Sequence, residues 1–94
     1  MQLKDSPRKA KRYRLVFDDS SFVDFGSKNG RTLIDDRTNS ERLAWIARHK
    51  NDGGFNDPNK GIYYSRFLLW AEPSLKKAVK VLEKKIGKKI DVLV

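Results

Sequence analysis

The sequence contains no cysteine and only one histidine, His49. Without cysteine there is no disulfide, no thiolate nucleophile and no cysteine-ligated zinc, so the fold depends on its hydrophobic core. A single histidine and the absence of a G-x-S-x-G motif leave no arrangement for Ser–His nucleophilic catalysis. We therefore expect a protein that is not an enzyme and that uses neither a cofactor nor a small-molecule substrate.

Long apolar runs and acidic residues are also scarce. No apolar stretch approaches the roughly 18 residues of a membrane span, and the N-terminal MQLKDSPRKAKR lacks the apolar core of a secretory signal. Only 12 Asp and Glu stand against 21 Lys and Arg, which gives a formal net charge of +9. We expect no membrane span, and a partner that is nucleic acid, an anionic lipid surface or an acidic protein.

Two pairs of adjacent aspartates, Asp18-Asp19 and Asp35-Asp36, are candidate ligands for Mg²⁺, as in a small nuclease. Adjacent side chains of a strand point to opposite faces, however, which prevents such a pair from sharing one ion. Aspartate also favours turns and helix N-termini, where its carboxylate accepts hydrogen bonds from nearby backbone. We interpret both pairs as turn residues and predict no metal site.

The length of 94 residues suits one domain with one core. Residues 1–14 carry six Lys and Arg against one Asp, which is typical of a charged arm. We predict a basic N-terminal arm over residues 1–12, a single α+β domain over 13–87 and a C-terminal tail or strand over 88–94. Such an arm adds little to the stability of the core it extends from.

Short β-branched and aromatic runs at 13–17 and 22–25, separated by Asp-Asp-Ser-Ser, predict a β-hairpin. Thr38-Asn39-Ser40-Glu41 matches a capping box and predicts the start of a helix. The spacing of Leu43, Ile46 and Ala47, with Trp45 beside them, predicts the buried stripe of that helix. A loop rich in Gly, Asn, Asp and Pro follows over residues 51–61.

A mostly apolar stretch from Ile62 to Ala71 predicts a buried central helix. Ser74 and Gly87 are typical N-terminal and C-terminal caps of a last helix between them. Residues 90–94 have the composition of a terminal strand, which could join the hairpin or a neighbouring subunit. The fold class is therefore α+β: an N-terminal β-hairpin packed against two to three short helices, with a possible C-terminal strand.

Basic side chains at both ends of the chain are the candidate binding residues, because Lys and Arg near a polyanion release counterions. The alternative is that the lysines of the last helix only solvate its outer face. Among the aromatic residues of the central helix, core packing is favoured over base stacking, with Tyr63 and Arg66 as the exposed members. The candidate partner-binding or polyanion-binding residues are Arg8, Lys9, Lys11, Arg12, Arg14, Arg66, Lys76, Lys77, Lys80, Lys84 and Lys88.

Several short motifs occur in a fixed order along residues 12–80, among them V-D-F-G at 23–26, R-H-K at 48–50, F-N-D-P at 55–58 and Y-S-R-F-L-L-W at 64–70. This set resembles a small, largely uncharacterised basic protein family of nucleocytoplasmic large DNA viruses of the chlorella-virus and giant-virus type. The chain departs from the family pattern at Gly53-Gly54, and at Phe55 and Phe67, where tryptophan is common. The resemblance implies a virus-encoded protein packaged in the particle, and it transfers no catalytic residue.

From these features we expect a virion structural protein, made in the host cytoplasm and placed at the inner face of the capsid. It would act as a minor capsid, or cement, protein that bridges neighbouring capsid subunits through basic arms. The expected partners are the major capsid protein and other minor capsid proteins, to whose acidic surfaces the basic charge is suited. The alternative is a DNA-binding, DNA-condensing protein of the viral nucleoid.

Overall fold

A computed structural model describes all residues from 1 to 94. The chain forms a four-stranded sheet whose apolar face is covered by helices, so the predicted α+β class is confirmed. The strand order is β3-β2-β1-β4; β1–β2 and β2–β3 are antiparallel and β1–β4 is parallel. In chain order the elements are β1 (Gln2–Asp5), β2 (Lys11–Val16), β3 (Phe22–Ser27), α1 (Asn39–His49), α2 (Gly61–Tyr64), a π-helical segment (Ser65–Leu69), α3 (Leu75–Ile86) and β4 (Asp91–Val92).

Strands β2 and β3 form the predicted hairpin around a tight turn. The amide of Ser20 donates to the carbonyl of Phe17 at 3.0 Å, and the amide of Phe17 donates to the carbonyl of Ser21 at 2.8 Å. Ser20 has a φ of 73°, the left-handed conformation that ends a three-residue hairpin loop. Tyr13 and Phe25 lie directly opposite each other across the strands and face the core.

The predicted N-terminal arm is wrong for residues 2–5, which form β1 in the interior of the sheet. β1 pairs with β2 along its whole length, and on the other side Gln2 and Leu3 pair with β4. Leu3 has no exposed surface and belongs to the core. The burial of Leu3 and the hydrogen bonds to two neighbouring strands therefore hold this segment in the sheet, although many of the residues around it are charged. Within the predicted arm, only Met1 and the β1–β2 loop, residues 6–10, lie outside the strands.

The predicted C-terminal strand is present and it joins β1 of the same chain. The amides of Asp91 and Leu93 donate to the carbonyls of Met1 and Leu3, each at 2.8 Å. Just before the strand, the Ile90 amide donates to the Glu83 carboxylate at 2.7 Å, which ties the chain to α3. The proposed boundaries after residues 12 and 87 consequently fall inside one fold and separate no independent part.

Helix α1 begins at the predicted capping box. Thr38 Oγ1 accepts from the Glu41 amide at 3.2 Å, while the Thr38 amide donates to the Glu41 carboxylate, also at 3.2 Å. The predicted buried stripe is wrong at Leu43, which is 54% exposed, and at Ala47, which is also exposed. Trp45 is buried in their place, because its indole stacks on Trp70 with ring centroids 5.4 Å apart.

The predicted central helix is real, but it is α-helical only over its first turn and π-helical from Ser65 to Leu69. Gly61 brings it against the sheet, since a Cβ at this position would lie 2.6 Å from the carbonyl oxygen of Asp24. Tyr63, expected to be exposed, is only 6% exposed. Tyr64 is buried with its hydroxyl donating to the Pro58 carbonyl at 2.7 Å, and burial raises its pKa to about 12.

Candidate polyanion-binding surface

Helix α3 carries the largest group of candidate residues, and its local sequence fixes which way they point. Ser74 caps the N-terminus by accepting from the Lys77 amide, and Gly87 ends the helix in the left-handed conformation. Ala78, Val79 and Leu82 are buried against the rest of the core. With these residues inside, the lysines at the remaining positions must face solvent.

We define the α3 lysine surface as the five lysines of this helix. Each of them is exposed, and none has a carboxylate within 4.0 Å of its ammonium group. Lys76, Lys80 and Lys84 follow one another at intervals of four residues, which corresponds to a row with a spacing of about 6 Å along the axis. The members of the surface are Lys76, Lys77, Lys80, Lys84 and Lys85.

Lys88, the last of the predicted lysines, differs from the others because it is engaged within the protein. Its Nζ lies 3.1 Å from the Asp18 carboxylate, which also accepts from the N-terminal ammonium of Met1 at 2.9 Å. The ammonium group of Met1, and then Lys88, hold the pKa of Asp18 below its usual value. Lys88 therefore connects the end of α3 to the β2–β3 turn and is less available to a partner.

The two predicted arginines of β2 are engaged in the same way. Arg12 makes two hydrogen bonds to Asp35, of 2.7 and 2.8 Å, and this pairing holds the pKa of Asp35 far below its usual range. Arg14 makes two to Asp24, of 2.8 and 3.0 Å, and lowers the pKa of that carboxyl, which is almost fully buried. Both arginines hold the fold together, and their charge is balanced locally.

The remaining candidates are dispersed over the surface. Arg8 and Lys9 lie exposed in the β1–β2 loop, with the Arg8 guanidinium 3.9 Å from Asp24, and Lys11 begins β2. Arg66 donates to the side-chain oxygen of Asn56 at 2.7 Å and lies over the rings of Phe55 and Phe67 at 4.2 and 4.7 Å. The structure therefore brings together the lysines of α3, and Arg66 lies near one of them, because the Lys85 ammonium is 5.1 Å from the centroid of the same Phe67 ring. Arg8, Lys9 and Lys11 lie in or beside the β1–β2 loop.

Sequence reasoning missed two exposed lysines, one within this surface and one beside it. Lys85 falls 100° beyond Lys84 on a helical wheel, outside the arc opposite the apolar stripe, yet it is exposed. Lys89 follows the helix and is exposed without an ion pair. The high proportion of lysine over residues 76–89 could have identified both, because it does not depend on where each residue falls on a helical wheel.

The aspartate pairs and the histidine are occupied by contacts within the protein. Asp19 accepts from the Ser21 amide and hydroxyl, and Asp36 is paired with Arg31. His49 Nδ1 lies 2.6 Å from the Asp52 carboxylate, and the imidazole packs on the Trp45 ring. No three His, Asp or Glu side chains lie close enough together to hold a metal ion.

Comparison with known proteins gives a family and no function. The sequence profile of DUF5754, described as a family of unknown function, matches residues 1–49, which is more than half of the chain. The chain belongs to this family. No curated protein and no solved structure matches it. The matched part contains β1 to β3 and α1, whereas the α3 lysine surface lies beyond it. None of the helices combines the length and apolar character required to cross a membrane.

Proposed function

We propose that this chain is a non-enzymatic DNA-binding protein that condenses or organises DNA through the α3 lysine surface. The observation that carries the proposal is that five exposed ammonium groups occupy one helix of 12 residues without a carboxylate partner. Arg12 and Arg14, in contrast, are paired with carboxylates of the same chain. A cationic surface that is left uncompensated is suited to an external polyanion.

The chemistry of the surface favours backbone binding over sequence reading. Lysine ammonium groups act as mobile point charges, whereas bidentate recognition of bases uses arginine or amide side chains. The surface contains no arginine, asparagine or glutamine. Binding would therefore be independent of sequence and would weaken steeply with salt, as expected for neutralised phosphates that release counterions.

The biological setting of this proposal comes from the motifs at residues 23–26, 48–50, 55–58 and 64–70. Their resemblance to a basic family of large DNA viruses supports a protein encoded by such a virus, made in the host cytoplasm and packaged in the particle. Its site in the particle would then be the nucleoid, where DNA is the most abundant polyanion.

A second candidate is the minor capsid protein at the inner face of the capsid, with the major capsid protein and other minor capsid proteins as partners. The basic arm that would bridge subunits is not free, because residues 2–5 lie inside the sheet. A different observation supports this candidate: β4 is an edge strand, and Val92, Leu93 and Val94 are 42–58% exposed. Such an edge is suited to another protein.

The DNA proposal is tested by titrating duplex DNA with the purified protein over a salt series. A triple variant, Lys76→Gln, Lys80→Gln and Lys84→Gln, is compared with a control of equal charge, Lys9→Gln, Lys28→Gln and Lys50→Gln. The slope of log K against log salt should fall by roughly two to three for the α3 variant, and by much less for the control. If the slope falls equally in both variants, the α3 surface is not the binding site. Non-specific DNA binding at physiological salt has dissociation constants of roughly 10⁻⁴–10⁻⁶ M, so the proposal is also rejected if the unmodified protein does not bind DNA in this range at about 0.15 M salt.

A further inference from the structure

The short strand β4 forms one edge of the sheet, and its outer side is open. The amides of Asp91 and Leu93 point at β1 and are bonded there. Because successive amides of a strand point in opposite directions, those of Val92 and Val94 point away from β1. β4 is the last strand in the sheet order, so these groups have no strand beside them. The edge is thus a template for one more strand.

A groove runs along this edge between β4 and α3, and its volume is about 540 Å³. Leu75 and Val79 contribute from the helix, while Ile90, Val92 and Val94 contribute from the end of the chain. Val92 and Val94 remain 42% and 51% exposed in it. An added strand would be able to bury these side chains while it satisfies the outward amides.

The polar rim of the groove is basic. Lys76, Lys80 and Lys89 line it together with one acidic side chain, Glu83. The Glu83 carboxylate already accepts from the Ile90 amide, so it is committed to the fold. The three ammonium groups have no carboxylate within 4.0 Å. A ligand with carboxylates beside its apolar side chains would pair with these ammonium groups and would also pack on the apolar side chains that form the floor of the groove.

We propose that β4 and this groove bind an extended acidic segment of another protein, which adds to the sheet as a fifth strand. Its backbone pairs with the outward amides of Val92 and Val94, its apolar side chains enter the groove, and its carboxylates lie beside Lys76, Lys80 and Lys89. This interaction does not depend on the proposed DNA-binding role, although Lys76 and Lys80 belong to both surfaces.

Two other occupants fit the groove less well. A second copy of the chain, paired through its own β4, would bring the same three lysines to the interface and place like charges together. Nucleic acid has no backbone amide or carbonyl groups in strand geometry, and its phosphates would face the apolar floor instead of using the open edge. An acidic strand is the one occupant that uses the amides, the floor and the rim.

The test measures, by fluorescence anisotropy, how a short fluorescent peptide binds to the full chain. Every second residue of the peptide, on the face that meets the groove, is valine and glutamate in turn, and the residues of the other face are threonine. A matched peptide with lysine in place of glutamate should not bind. The double variant Lys76→Glu and Lys80→Glu should bind the acidic peptide roughly tenfold more weakly. The control Lys85→Glu makes one charge reversal on the opposite side of the helix and should have little effect.

A second variant separates edge pairing from charge. Val92→Pro removes an amide that points away from β1, so the bonds of β4 to β1 remain, but the peptide should lose most of its affinity. Amide NMR should show the peptide-induced shifts at residues 75–80 and 90–94.

The proposal is overturned if both peptides bind equally, if Val92→Pro binds normally, or if sedimentation shows that β4 mediates a dimer that excludes the peptide. If the unmodified protein binds DNA but does not bind the acidic peptide, this proposal is rejected and the DNA-binding proposal stands.

Discussion

Arg12 and Asp35 are joined by two hydrogen bonds, of 2.7 and 2.8 Å, that fasten β2 to the loop before α1. The same carboxylate accepts from the Thr32 amide at 2.9 Å and from its hydroxyl at 3.0 Å. The Thr32 carbonyl in turn accepts from the amides of Asp35, Asp36 and Arg37. One acidic side chain therefore organises the whole turn that positions the N-terminus of α1.

Replacing Asp35 by asparagine should lower the free energy of unfolding by about 1–2 kcal/mol, since it removes the charge from hydrogen bonds to a guanidinium. Urea denaturation followed by tryptophan fluorescence measures this change. Asp36→Asn is the control, because its partner Arg31 is 64% exposed and exposed pairs contribute little. Equal effects of the two substitutions would show that Asp35 has no special role in the turn.

Stability should decrease as the pH falls below about 4. The carboxyls of Asp24 and Asp35 have pKa values below 3.8 in the folded chain because of Arg14 and Arg12, so the unfolded chain binds protons first. Their contribution is complete above pH 3.8 and is lost on further acidification through the folded-state pKa values. Melting temperatures between about pH 6 and pH 2 measure the effect, and Asp35→Asn should show a shallower decline. A constant melting temperature over this range would contradict it.

Leu3→Ala should cost about 2–5 kcal/mol, because Leu3 is fully buried in the centre of the sheet. Guanidinium denaturation of the variant and of the unmodified chain gives the difference. Lys4→Ala, one residue further on the exposed face of the same strand, should change the stability by less than about 0.5 kcal/mol. A small effect of Leu3→Ala would mean that β1 is a detachable arm after all.

Ser20→Gly should stabilise the protein by up to about 1 kcal/mol, since Ser20 has a φ of 73° and glycine adopts this conformation without steric cost. Thermal denaturation monitored by circular dichroism would detect the increase. Ser21→Gly serves as the counterpart: it removes the hydroxyl that donates to Asp19 and should be destabilising. If both substitutions destabilise, the turn tolerates serine at position 20 without strain.

Local signals account for the parts of the fold that the sequence predicts. The hairpin turn, the capping box at Thr38 and Glu41, and the caps Ser74 and Gly87 depend on neighbouring residues, and all of them are present in the structure. The lysines of α3 are exposed for the same reason, because the apolar stripe of that helix is unambiguous. Local sequence patterns are therefore sufficient to predict a turn, a helix cap or an exposed helix face when contacts within the same segment determine its conformation.

Long-range contacts account for the failures. Gln2–Asp5 contains one apolar residue and becomes a strand only through its partners β2 and β4. In α1, contact with Trp70 decides that Trp45 is buried and that Leu43 is exposed. Asp24 and Asp35 neutralise two of the predicted binding arginines, Arg14 and Arg12, from positions 10 and 23 residues away. None of these pairings leaves a pattern in the neighbouring sequence.

The pairing of β1 with β4 has a consequence for synthesis on the ribosome. β1 and β2 can associate once residues 2–16 have emerged, but the other edge of β1 stays unpaired until Asp91 and Leu93 have been made. Throughout translation of the intervening chain, a nascent sheet exposes an unprotected side to other molecules. β1, the first of the four strands to be made, is thus completed by β4, the last of them, so the four-stranded sheet forms only after β4 has left the ribosome.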